Sequence, residues 1–490
     1  MNLVKIIKAA LSTPYFWLGL ILIGAFWVRT YRIDRPLADW HSWRQADTAA
    51  VSRNFIKEGF SPFAPKFDDM APLSEGSLPN PERYRFVEFP LYNILVWLVW
   101  LKFPFQESMA RLVSIFLSLG SVTFLFLITR RYFGNLLSLL ATFIFAFLPY
   151  NIFYSTVIMP EPLLVFSMLG TLLFFDLWLE KNNNFLRNII FGILAVLFSA
   201  MALLTKPVAI FLAPPLLYIS YRQFGLSFFK SVKIWLFVLL TLLPFGFWRF
   251  IALQHPEGIP RFMWLIDGHN LRFKGAFFYW IFHDRFSRLI LTVGGFALLV
   301  LGLLHRGKKG DLFFLSWLFG MVLYLIVFST GNVIHDYYQV PIIPILSIFV
   351  AKGVAFLLEQ KVSIIQRVLL IFVAIFLLGL TFFLSWREVR TLFNINNPTI
   401  VEVGKIADEI LPKDAKVIAP YGGDTAFLYQ TNRPGWALPY LPIGEMRQIG
   451  ATHYVTVNIN SEANDVRREY KTLIFENDYA IFDLREKISQ

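Results

Sequence analysis

Long apolar runs, separated by short polar or basic breaks, dominate this chain. Runs of about 17–22 residues recur near 14–30, 109–129, 135–151, 161–179, 188–205, 207–222, 232–252, 289–305, 312–329, 337–358 and 367–386, close to the length a helix needs to cross a bilayer. They predict a mainly α-helical, polytopic membrane bundle of about eleven spans. A twelfth run, Phe89–Phe103, is short and opens on Pro90, and reads as a re-entrant or interfacial helix within the first loop. The run after Met1–Ala10 leads into Arg29 and Arg32 without a small-residue cleavage pattern, so it is expected to be a retained first helix.

Sidedness follows from where the cations fall. With a cytoplasmic N-terminus, the short basic loops all lie inside: Arg130-Arg131, Lys181 with Arg187, Arg222 with Lys230 and Lys233, Arg306 with Lys308 and Lys309, and Lys361 with Arg367. Counting Phe89–Phe103 as a span would invert everything after it and break the positive-inside pattern. The expected location is therefore a plasma (inner) membrane, with the first loop (32–108), the loop 253–288 and the tail all extracytoplasmic.

Beyond about residue 388 long apolar runs stop and charge rises. The expected division is a transmembrane domain, 1–387, whose first loop carries the chemistry, and a small α/β domain, 388–490. In the tail, Thr399–Leu411 reads as an amphipathic helix and Glu462–Tyr470 as another helix. Strands are expected at 415–420, 452–458, 472–475 and 479–483. Gly422-Gly423-Asp424 reads as a turn.

Composition narrows the chemistry. The 490 residues are 56% hydrophobic and 16% charged, with no cysteine; soluble domains carry roughly 25% charged residues. Disulfides, thiolate metal sites and a cysteine nucleophile are excluded. The net charge of +12 fits cytoplasmic Lys and Arg better than a nucleic-acid partner.

The densest polar segment is Asp39-Trp40-His41-Ser42-Trp43-Arg44-Gln45-Ala46-Asp47, directly after the first apolar run. Ser42 with Gln45 fits a capping box, and the helix it opens is expected to reach about Lys57 and stop at Gly59. Arg44 and Asp47, three apart, share a face of that helix. Glu88 stands before Pro90, Glu161 opens a span, and Lys206 precedes Pro207 on the side disfavoured for cations, which calls for an anionic partner. His335-Asp336-Tyr337-Tyr338 opens another span. Interfacial aromatics account for the tyrosines but not for His335. Under the expected topology these motifs share one membrane face, as one composite site requires. His41, His335 and the acids are of the ligand type for a divalent metal, but no metal-ligand spacing links them.

These motifs, in this order, resemble the GT-C superfamily of polyprenyl-phosphate-dependent glycosyltransferases, in its protein O-mannosyltransferase and aminoarabinose lipid A transferase branch. The resemblance covers about residues 10–390. It implies a lipid-linked sugar donor and transfer to an acceptor hydroxyl on a protein, lipid or glycan. Many members carry an adjacent Asp-Glu pair in the first loop; aligned on Arg53-Asn54-Phe55, that pair falls here at Arg44-Gln45. The base is then Asp47 or Asp39, with Asp47 preferred because it shares a helical face with Arg44, and with His41 beside them. Arg44, Lys206 and His335 are expected to hold phosphate. Gln45, Glu88, Glu161, Tyr337 and Tyr338 are expected to contact sugar, phosphate or the cations.

Two other classes were open to such a chain. A lipid-linked sugar transporter or flippase would place charges at mid-membrane on broken helices, whereas these spans are nearly charge-free in the middle. An anchored cell-envelope assembly protein would leave residues 39–47 without a purpose. The topology has a direct test: protease added to intact cells should cut the tail, and a protected tail would mean that Phe89–Phe103 crosses the membrane.

Overall fold

The apolar runs form helices, and prolines decide where those helices break. The computed structural model describes residues 13–488 apart from 75, 182, 306, 308 and 309; Met1–Ala10 and the basic residues Arg306, Lys308 and Lys309 lie outside the described residues. Among those described, six helices are long and apolar enough to cross a membrane: Glu107–Tyr132, Glu161–Leu179, Phe185–Thr205, Val232–Ala252, Asp336–Leu358 and the helix beginning at Ile364. A seventh is added if Gly275–Ile290 and Thr292–Leu304, bent by 112°, are one span. The bend falls at Thr292, whose φ of 56° is left-handed.

The length criterion thus yields fewer spans than the eleven apolar runs. Pro149 divides the run 135–151 into Asn135–Phe147 and Pro149–Tyr154, because a proline ring clashes with the preceding turn. Pro207 opens a 3₁₀ segment, Pro207–Leu212, ahead of Ala213–Phe224. Pro14–Arg29 and Asp311–Val327 are apolar but shorter. The first-loop run is the ten-residue helix Leu91–Trp100, about 15 Å long at 1.5 Å per residue.

By contacts the chain divides into two units. The first comprises residues 1–33, 114–247 and 262–392; the second comprises 34–113, 248–261 and 393–490. Most of the first loop therefore groups with the tail.

Within the first unit, helices pack through glycine. A side chain built on Gly353 would meet the Leu298 carbonyl oxygen at 1.9 Å, and one on Gly302 would meet that of Phe349 at 1.8 Å. Helices Thr292–Leu304 and Ile343–Leu358 therefore approach backbone to backbone, the contact that small residues allow between membrane helices.

Within the second unit, five strands form a mixed sheet: β1 (Val417–Ile418), β2 (Gly435–Trp436), β3 (His453–Thr456), β4 (Tyr470–Phe475) and β5 (Ala480–Lys487), in the order β2-β1-β3-β5-β4. β1 is parallel to β2 and β3; β5 is antiparallel to β3 and β4. Helices Pro398–Ile410 and Ser461–Glu469 form close to where the sequence predicts them, at 399–411 and 462–470. The first loop feeds this sheet: Met70 N–H donates to the Gly435 carbonyl at 2.7 Å and Gly435 N–H to that of Asp68 at 3.0 Å. Met70 sits in the same core as Ile418, Trp436, Tyr454 and Phe482.

Because the atom facing Gly353 is backbone, Gly353→Leu should cost about 3 kcal/mol and lower the melting temperature in detergent; an unchanged melting temperature would show that the helix pair can separate without penalty.

Candidate active site

Helix Ser42–Lys57 is polar, yet thirteen of its sixteen residues are buried. A buried polar side chain needs a partner; Thr48 and Ser52 bond carbonyls of their own helix, and most of the other partners come from the first loop and the tail. The chain enters the helix through His41, the N-cap, in the left-handed region (φ 56°, ψ 37°) with no side-chain cap. The expected capping box is therefore not formed. N-capping needs a residue of extended backbone outside the helix, and here Ser42 is already its first residue. Its hydroxyl donates instead to Asp424 Oδ2 at 2.7 Å. The helix ends as expected, with Glu58 as C-cap and Gly59 at φ 101°.

Gln45 and Asp39 are tied together. Gln45 Nε2 donates to Asp39 Oδ1 at 2.7 Å and to the Trp40 carbonyl at 3.1 Å, while Arg111 donates to Gln45 Oε1 at 3.1 Å. Arg35 Nε holds the other Asp39 oxygen at 2.5 Å. Asp39 is fully buried. The His41 ring packs against that of Trp40, centroids 5.0 Å apart.

Arg44 and Asp47 do share a face, and they line a small pocket with Thr48, Arg85, Glu88 and Asn93. Arg44 donates to Glu88 Oε1 at 2.6 Å. Glu88 Oε2 is buried, with no hydrogen-bond partner among the described residues. Arg85 donates to Asp47 Oδ2 at 2.7 Å, and Thr425 Oγ1 to Asp47 Oδ1 at 2.6 Å. Burial pushes the Asp47 carboxyl above its ordinary pKa against the pull of Arg85, Thr425 and Arg44, and Asp68 adds to the rise. Asp69, also buried, is pushed up to about 6.

The first unit assembles a second cluster. Lys206, at the C-terminal end of Phe185–Thr205, pairs with Glu161, the first residue of its helix. Glu161 Oε2 is buried without a partner among the described residues. Lys206 Nζ lies 5.2 Å from the ring centre of Tyr337 and 5.1 Å from that of Tyr338, within cation–π range. The His335 ring stacks on Tyr337 at 5.2 Å and on Tyr338 at 6.0 Å. Lys206 thus has the anionic partner its sequence position called for, and three separate motifs meet. Among the described residues, no three His, Asp or Glu side chains group as metal ligands.

Sequence reasoning missed Arg85, Asp69, Arg111 and Thr425. Arg85 sits in Glu82-Arg83-Tyr84-Arg85, which reads as a solvated loop. Thr425 lies 378 residues from Asp47, and no local pattern marks it.

Asp39→Ala would leave Arg35 buried without its ion pair, at a cost of about 3–5 kcal/mol. It should therefore lower the melting temperature well beyond Asp47→Asn, and equal melting temperatures would contradict a scaffold role for Asp39.

Comparison with known proteins concerns the fold and one stretch of the sequence. Residues 88–248 match the family of dolichyl-phosphate-mannose-protein mannosyltransferases. No curated protein matches the chain. The fold is similar to that of ArnT from Cupriavidus metallidurans bound to undecaprenyl phosphate, with a TM-score of 0.67 and 13% identity over 95% of this chain and 97% of that one. It is also similar to the archaeal oligosaccharyltransferase AglB from Archaeoglobus fulgidus in complex with an inhibitory peptide and a dolichol-phosphate. There the TM-score is 0.59 and the identity 10%, over 94% of this chain and 73% of that one. Over residues 88–248 the chain is thus similar to the dolichyl-phosphate-mannose-protein mannosyltransferases, and its fold, with long apolar helices and a small mixed sheet, is similar to those of ArnT and AglB.

Proposed function

We propose that the protein moves a hexosyl or pentosyl group from a polyprenyl-phosphate donor to an acceptor hydroxyl at the extracytoplasmic face, with inversion at the anomeric carbon. The observation that carries this reading is Asp47 in its pocket: a carboxylate flanked by Arg44 and Arg85, beside a glutamate with one buried unbonded oxygen. The donor class is supported by the relatives, whose structures hold undecaprenyl phosphate and dolichol-phosphate.

The chemistry asks for few groups. The acceptor oxygen attacks the anomeric carbon as its proton passes to Asp47. The bond from that carbon to the phosphate oxygen breaks, and its electron pair leaves with the lipid phosphate. No acid is needed for so good a leaving group, but cations must meet its growing charge. In the second unit Arg44 is such a cation beside Asp47; in the first unit Lys206, with His335 and the Tyr337 and Tyr338 rings beside it, is itself a cluster suited to a phosphate. Glu88 in the second unit and Glu161 in the first each give one oxygen to a cation and leave the other buried and unbonded, the form in which a carboxylate can accept from a hydroxyl. Asp39 and Gln45 brace Asp47's helix, with His41 at its entry. The basic loops support eleven spans with a cytoplasmic N-terminus and a plasma-membrane location.

Asp47→Asn should reduce transfer of labelled sugar from its polyprenyl-phosphate form by at least about 100-fold while the protein still inserts and folds. Asp47 works deprotonated and burial raises its pKa. The wild-type rate should therefore fall on acidification at a pH above the ordinary carboxylate range. Full activity in Asp47→Asn, with loss in stable Asp39→Asn protein, would reassign the base.

A further inference from the structure

The tail runs alongside the base-bearing helix for its whole length. Ser42 bonds Asp424 at 2.7 Å and Asp47 bonds Thr425 at 2.6 Å. Arg53 donates to the Tyr429 carbonyl at 2.9 Å and lies 4.2 Å over its ring. Lys57 donates to the Asn432 carbonyl at 3.1 Å. Both numbers rise together, so one segment, 424–432, follows helix Ser42–Lys57 in parallel.

Local geometry aims this segment. Gly422 and Gly423 both have positive φ, 61° and 81°, which glycine adopts without strain. Asp424 N–H closes the turn on the Tyr421 carbonyl at 3.0 Å. One Asp424 oxygen accepts from Ala426 N–H at 2.7 Å at the start of the short helix Ala426–Gln430; the other takes the Ser42 hydroxyl. Thr425 is thereby fixed between two anchored neighbours. Its hydroxyl has one proton and two acceptors in reach, Asp47 Oδ1 at 2.6 Å and the Trp43 carbonyl at 3.1 Å. The carboxylate is both nearer and charged, so it takes the proton.

We propose that Thr425 of the tail is a positioning residue for transfer: it orients Asp47 and holds it in the proton-accepting form. The proposal rests on Asp47 being the base. Arg85 fills the other Asp47 oxygen, so the two donors fix the carboxylate plane from opposite parts of the sequence. The charges facing Asp47 are Arg85 and Arg44, which favour its anion, and Asp68, Asp69 and Asp424, which oppose it. Glu88 is tied up by Arg44, and His41 faces Asp424. With three acids against two cations in a buried place, a single neutral donor carries weight. On this account the tail domain completes the site and is more than an appendage to it.

The test uses the full-length protein in its own membranes. Thr425→Val keeps the shape and removes the donor; Thr425→Ser keeps the donor. A hydrogen bond to a charged group corresponds to about one pH unit. In Thr425→Val the acidic limb of sugar transfer from a labelled polyprenyl-phosphate sugar should move up by about that much. The rate should fall about tenfold below the limb, stay near wild type above it, and recover in Thr425→Ser. A second readout needs no donor. An apolar carbodiimide labels protonated carboxyls, and the pH of half-labelling at Asp47, read by mass spectrometry, should rise by the same amount. An unmoved limb and unmoved labelling, or an equal loss of rate at every pH, would overturn the role of Thr425. Persisting activity in Asp47→Asn would overturn the base assignment instead, whatever Thr425→Val does to the labelling.

Discussion

A polar helix buried on nearly every side must find a partner for each of its side chains, and that demand organises the second unit. Helix Ser42–Lys57 carries Arg44, Gln45, Asp47, Thr48, Ser52, Arg53 and Asn54 into the interior. An unpartnered charge or amide there would cost several kcal/mol. The first loop therefore supplies Asp68, Arg85 and Glu88, and the tail supplies Asp424, Thr425 and Tyr429. Loop and tail, far apart in sequence, become one unit because they serve the same helix.

That arrangement separates two kinds of carboxylate. Asp39 has both oxygens bonded by buried scaffold groups, Arg35 and Gln45. Asp47 also has two donors, but it faces a pocket, and burial works against its charge. A carboxylate with a raised pKa at the wall of a pocket suits proton transfer. A saturated, enclosed one suits holding a helix in place. The glutamates repeat a single device in both units: one oxygen on a cation, the other buried and unbonded.

In the first unit the constraint is steric. Gly302 and Gly353 let two helices meet at their backbones. Pro149 breaks an apolar run that hydropathy alone reads as continuous, and Pro207 marks the break between two others. The second of these breaks places Lys206 at a helix end beside Glu161 and the two tyrosines.

Periodicity and turn chemistry, which act over a few residues, were legible in the sequence. The helical character of the apolar runs, the end of Ser42–Lys57 at Gly59, the tail's two helices and the pairing of Arg44 and Asp47 on one face all follow from spacing. So did the need of Lys206 for an acid, because a cation on the disfavoured side of a span has to be neutralised. The capping box was misread because the pattern does not reveal the left-handed His41 that moves Ser42 inside the helix. Long-range pairing was not legible. Nothing near Arg85, Asp69 or Thr425 distinguishes them from solvated polar residues, since hydrogen bonds across 38 or 378 residues leave no periodic trace. The sequence alone determined a membrane bundle with a polar helix after its first span. Only the tertiary structure decided which acid faces a pocket and which is locked away, because that depends on what the rest of the chain packs against each.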